Sequence, residues 1–160
     1  MAIAFIIQNH IQNLQFALAK ELKEKKYKLY CYSNNRMHVE YIKKKLPYLF
    51  EEVKYCDLNY FVKNSVYKNS KEKQKKYERL LHETYLGVIA SNRVLGIEYS
   101  IGSSHHPKHT LSNFSKNNIF DGMNNFFDFW VKEVKKKNLN TIIAGDKEYY
   151  AVAKICKIKF

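Results

Sequence analysis

The chain is 160 residues long, 46% hydrophobic and 15% aromatic, which supplies one domain with a buried core and excludes a disordered tail. Five Gly and two Pro exclude collagen-like, linker-like and turn-dense all-β chains. The 28 Lys plus Arg against 15 Asp plus Glu leave a net charge of +13, yet 28 − 3 = 25 of those cations are Lys, beside only Arg36, Arg79 and Arg93. Nucleic-acid readers favour Arg, whose planar fork meets phosphates and guanine edges in a bidentate way. The Lys runs 43–45, 73–76 and 135–137 are therefore read first as solvated helix faces, and second as a polyanion surface.

In chain order, Ala2–Ile7 is a continuous apolar run, as in a strand buried on both faces. Its start lacks the basic n-region and cleavage site of a signal peptide, and no apolar run approaches the roughly 18 residues of a membrane helix. Ile11, Leu14, Leu18 and Leu22 predict a helix with Asn9 as N-cap. Tyr27–Ser33 reads as a second strand. Arg36–Leu46 is a helix with Met37, Tyr41, Ile42 and Leu46 on one side, stopped by Pro47, and Glu51–Cys56 is a third strand. This alternation predicts an α/β fold with a mainly parallel sheet and crossover helices.

Residues 59–69 show no clear period. Lys71–Ile89 predicts one helix with Tyr77, Leu80, Leu81, Tyr85 and Val88 as its apolar side. Gly102–Asn118 reads as a 17-residue loop, longer than a structural connector needs. Met123–Lys137 is an amphipathic helix whose Phe126, Phe127 and Trp130 read as core. Leu139–Gly145 is a strand, Lys147–Ala153 begins a helix, and Ile155–Phe160 reads as a further strand. A chain stopping on such a strand is expected to be one domain of a longer protein.

In parallel sheets ligands sit beyond the carboxyl ends of the strands, against helix N-termini. Two turns hold that place: Gln8, Asn9 and His10, and Gly145, Asp146 and Lys147. The first has no Gly, which excludes a Walker A or dinucleotide fingerprint and with it a nucleotide at that turn. Asp146 reads as a helix cap or as a general base. His105, His106 and His109 form a candidate binding loop, but the spacing lacks a carboxylate and a second ligand cluster, so neither metal nor cofactor is expected. Cys31, Cys56 and Cys156 have no C-x-x-C spacing, there is no G-x-S-x-G elbow, and the thiols read as small hydrophobes of a cytosolic protein.

Ser91-Asn92-Arg93-Val94-Leu95-Gly96, after a long helix and before Tyr99-Ser100, resembles a segment of bacterial surface-polysaccharide and capsule biosynthesis proteins of the two-domain GT-B glycosyltransferase type. The resemblance covers most of the chain in order of elements, with Asn92 standing where that family carries an acidic residue. It implies a Rossmann-like three-layer sandwich forming the acceptor-side N-terminal half, inactive alone. The nucleotide sugar would be held by a second domain. It implies Arg93 as a binder of phosphate or carboxylate, His10 or Asp146 as the base that deprotonates an acceptor hydroxyl, and a sugar or lipid-linked acceptor held by Gln8, Asn9, His105, His106, His109 and Lys147. It also implies a cytoplasmic protein peripheral to an anionic inner-membrane surface. Two other readings stand beside it: a nucleic-acid or polyanion-binding domain, and a small flavodoxin-like domain binding a phosphometabolite.

Overall fold

The computed structural model describes residues 1–7, 11–66, 70–92, 95 and 116–160. Strand β1 is Ala2–Ile7, followed by helix α1, Gln12–Glu24, strand β2, Lys28–Ser33, helix α2, Arg36–Lys45, and strand β3, Glu52–Tyr55. Helices α3 (Leu58–Lys63), α4 (Lys71–Leu81), α5 (Tyr85–Ser91) and α6 (Lys116–Lys137) lead to strand β4, Leu139–Ile143, and helix α7, Lys147–Cys156. The four strands form one sheet in the order β3-β2-β1-β4, every pair parallel. With helices on both faces this is an α/β three-layer, Rossmann-like sandwich.

β1 lies between β2 and β4, and all six of its residues are buried, which is why it reads as an unbroken apolar run. Ile3, Phe5 and Ile7 join Leu29, Cys31 and Val53 under α1 and α2. Ala2, Ala4 and Ile6 face the other layer, where α3 to α7 pack an aromatic core of Tyr32, Tyr85, Phe126, Phe127, Trp130 and Tyr149. Trp130 stacks tilted on Tyr32 at 4.6 Å between ring centroids and meets Tyr149 edge-on at 5.7 Å. Rings of this size dominate core energetics, so Phe126, Phe127 and Trp130 are core residues, as their spacing predicts. At Gly122 a Cβ would stand 2.5 Å from the Val62 backbone, so only Gly lets α6 lie this close to α3.

Several expectations are corrected. In α1 the buried residues are Gln15 and Ala19, while Leu14 and Leu18 face solvent. The Gln15 amide turns inward because it donates to the Ile6 carbonyl at 2.7 Å, satisfying a backbone acceptor of β1. The N-cap of α1 is Ile11, with no side-chain cap; Asn9 lies outside the described residues. In α2 the inward residues are Val39 and Ile42, and Met37 and Tyr41 are exposed. The stretch without a period contains α3, capped by Asp57. The single helix expected over 71–89 is two, because His82 turns left-handed (φ 51°) and Thr84 caps a new start. Lys116–Asn118, expected in the long loop, already belong to α6. The further strand is reduced to one parallel bridge, Thr141 with Lys159, because α7 runs on to Cys156.

Candidate functional site

The strand order places the topological switch between β1 and β4. From β1 the chain turns to α1 on one face of the sheet; from β4 it turns to α7 on the other. In open parallel sheets the carboxyl ends of the strands beside such a switch are where a ligand crevice is expected. On the β4 side Ala144, Gly145 and Asp146 occupy that place, and α7 begins there. Gln8, Asn9 and His10, expected on the β1 side, lie outside the described residues, as do Arg93, His105, His106 and His109.

Asp146 occupies the N-cap position of α7 in extended backbone (ψ 145°) without a side-chain capping hydrogen bond. Lys147 turns away to the neighbouring helix. Its Nζ donates to Glu83 Oε1 at 2.5 Å and to the Gly87 carbonyl at 2.9 Å, tying α7 to α5.

The next residue, missed in the sequence, is the distinctive one. Glu148 is 9% exposed in the first turn of α7, and its Oε1 accepts from Asn92 Nδ2 at 3.3 Å. Burial pushes its carboxyl up to about 7. Its own backbone N–H and Asn92 pull the other way, and the charges of Asp146 and Asp57 push it further up. The only sequence signal was an acid at a helix start, a position that ordinarily serves the helix dipole. Asn92, which also accepts from the Leu95 N–H at 3.1 Å, is the residue that departs from the resembled motif. A carboxylate at 92 would add a like charge beside Glu148; the amide donates to it instead.

No family model matches the chain, and no curated protein or solved structure matches it.

The start of α7 also reaches the β3 end of the sheet. Asp57 Oδ1 accepts from Asn59 N at 3.0 Å, its Oδ2 accepts from the Tyr55 hydroxyl at 3.1 Å, and the Tyr149 hydroxyl reaches the Cys56 carbonyl at 3.4 Å. The same edge of the sheet carries a second opening of about 420 Å³ between the starts of α1 and α2, lined by Gln12, Asn13, Phe16, Met37, His38 and Tyr41. His38 Nδ1 is buried there without a hydrogen-bond partner. Among the described residues, no group of three or more His, Cys, Asp or Glu is placed to hold a metal ion. Cys31 and Cys56 are fully buried, and burial pushes the Cys31 thiol up to about 12 and that of Cys56 higher still, so neither is an activated nucleophile.

Proposed function

We propose that the chain is the acceptor-binding half of a glycosyltransferase of surface-carbohydrate assembly, taking a hydroxyl-bearing acceptor in the crevice between β1 and β4. The reading rests on Glu148. A carboxyl held near pH 7 at the switch point of a parallel sheet suits a general base. As the acceptor oxygen attacks the anomeric carbon, its proton passes to the Glu148 carboxylate. The diphosphate leaves with the electron pair of the broken bond, and the donor is held by a second domain. The catalytic base expected at Asp146 is thereby moved two residues on, with Asp146 supplying charge beside it.

The electrostatics favour a neutral sugar over a phosphorylated ligand. Asp57, Asp146 and Glu148 bring three carboxyl groups to this end of the sheet, while Lys147 is engaged by Glu83 and Gly87 and Arg36 lies over the Tyr55 ring, 5.1 Å from its centroid. Phosphate would meet like charge. The opening between α1 and α2 adds aromatic faces and amide groups of the kind that hold a sugar ring.

The test is an amide-resolved NMR titration of the full chain with glucose and N-acetylglucosamine, and in parallel with their 1-phosphates. The neutral sugars are expected to shift the Ala144–Tyr149 amides, and Glu148→Gln to remove the pH dependence of binding between pH 6 and 8. Stronger binding of the phosphates would support the phosphometabolite reading, and shifts confined elsewhere would overturn the crevice as the site.

A further inference from the structure

We propose that the opposite end of the sheet, where the strands begin, is a docking surface for an anionic lipid bilayer. In a parallel sheet every helix that leads into a strand finishes at this end, and here those helices finish in lysine. The last turn of α2 is Lys43, Lys44 and Lys45, and that of α6 contains Lys135 and Lys136. Lys154 is in the last turn of α7, and Lys25, Lys26 and Lys28 link α1 to β2. All of these side chains are exposed. Of the acids of the same end, Glu51 is paired with Lys23 at 2.7 Å and Glu52 with Lys54 at 3.2 Å and with Lys137, while Glu21 and Glu24 in the last turn of α1 are exposed and outnumbered by the lysines. These nine exposed lysines lie at the end of the sheet opposite Asp57, Asp146 and Glu148.

Helix dipoles account for one cation per C-terminus, worth about 0.3–1 kcal/mol, but not for the triplet that ends α2 or the pair that ends α6. A bilayer fits the pattern better than a nucleic acid. The cations named are all Lys, point charges suited to diffuse attraction rather than bidentate phosphate recognition. They belong to four separate connections at one end of the molecule, instead of following a groove as a strand's backbone would require. Tyr48, 68% exposed in the connection between α2 and β3, adds an aromatic side chain of the type that settles at headgroup level. In this orientation the crevice opens away from the lipid surface. The inference is independent of what the crevice binds.

The experiment is co-sedimentation of the full chain with vesicles of phosphatidylcholine alone and with one-quarter phosphatidylglycerol, in 50 and 300 mM salt. Binding is expected only to the anionic vesicles and only at low salt. One lysine near an anionic surface is worth about 1 kcal/mol, or roughly fivefold in affinity. The triple variant Lys43→Gln, Lys44→Gln, Lys45→Gln is therefore expected to lose about a hundredfold. The pair Lys135→Gln, Lys136→Gln, on a different helix, is expected to lose about twentyfold. Arg36→Gln, at the other end of α2, should leave binding unchanged. Equal binding to neutral vesicles, no binding to anionic ones, or an equal loss in Arg36→Gln would overturn the proposal. So would displacement from the vesicles by polyuridylate at matched phosphate concentration, which would assign the surface to nucleic acid.

Discussion

Two glutamates of the aromatic layer, Glu133 on α6 and Glu148 on α7, are buried to nearly the same degree and titrate in opposite directions. Around Glu133 burial alone would raise the carboxyl. Hydrogen bonds from Lys137, Tyr32 and Lys54 outweigh it and hold the group at about 2. Its partners stand close, with Tyr32 Oη at 2.6 Å, Lys137 Nζ at 2.7 Å and Lys54 Nζ at 3.0 Å. Lys137 itself lies over the rings of Tyr30 and Tyr32, at 4.6 and 5.0 Å from their centroids. Glu148 has an amide and two carboxylates for neighbours instead. The same side chain, similarly little exposed, is a fixed anion where cations surround it and a proton carrier where it lies deeper without them. Burial raises both, and the partners decide which carboxylate is left available for chemistry.

The contrast breaks most severely at Lys137. Lys137→Met should cost about 3–5 kcal/mol, because it leaves the Glu133 charge buried without its main counter-ion. Urea denaturation at pH 7 reads this directly, and a loss below 1 kcal/mol would show the network to be dispensable.

The next effect is on pH dependence. Below its ordinary value of 4.5 Glu148 is protonated in both folded and unfolded chains; as pH rises towards 7 only the unfolded chain ionises freely, so stability falls through that window. The difference of about 2.5 pH units corresponds to about 3 kcal/mol, and Glu148→Gln should recover it at pH 8 and flatten the profile there. Glu133 works in reverse: its contribution is present above 4.5 and is lost as pH falls towards 2. A mutant profile unchanged between pH 5 and 8 would remove Glu148 from consideration as a proton carrier.

Smaller effects sharpen the comparison. Tyr32→Phe removes two hydrogen bonds to charged groups, the one donated to Glu133 and the one accepted from Lys137, and should cost about 1.5–3 kcal/mol because Glu133 and Lys137 keep each other, leaving Glu133 ionised at neutral pH. Asn92→Asp should move the Glu148 titration further up, as followed by carboxyl-carbon NMR, with little change in stability below pH 4.

Residues whose fate is settled along one element were legible in the sequence. The interior strand β1, the strand β4 and the Phe126–Trp130 stripe carry their burial in their own period, because each packs against what surrounds it on every side or along one stripe. α1 was misread since its inward face is chosen by a carbonyl of β1 that needs the Gln15 amide, and local periodicity contains no such information. The break between α4 and α5 depends on His82, a residue without glycine's freedom in the left-handed region. At the crevice the turn itself was legible from the strand-to-helix change at Gly145 and Asp146. Glu148 was not, because its properties come first from burial in the folded chain and then from Asp146, Asn92 and Asp57, two of them distant in sequence.

The position of β1 has a consequence for how the chain is made. Its six residues leave the ribosome long before one of its two neighbours in the sheet, β4, which begins only at Leu139. At about 5–20 residues per second this is an interval on the order of ten seconds. Throughout it, one edge of a charge-free apolar segment with no proline has nothing to pair with, and such hexapeptides are prone to stack with copies of themselves. Nascent chains arrested before residue 139 should therefore need a chaperone to stay dispersed, and release of the chain through β4 should end that need.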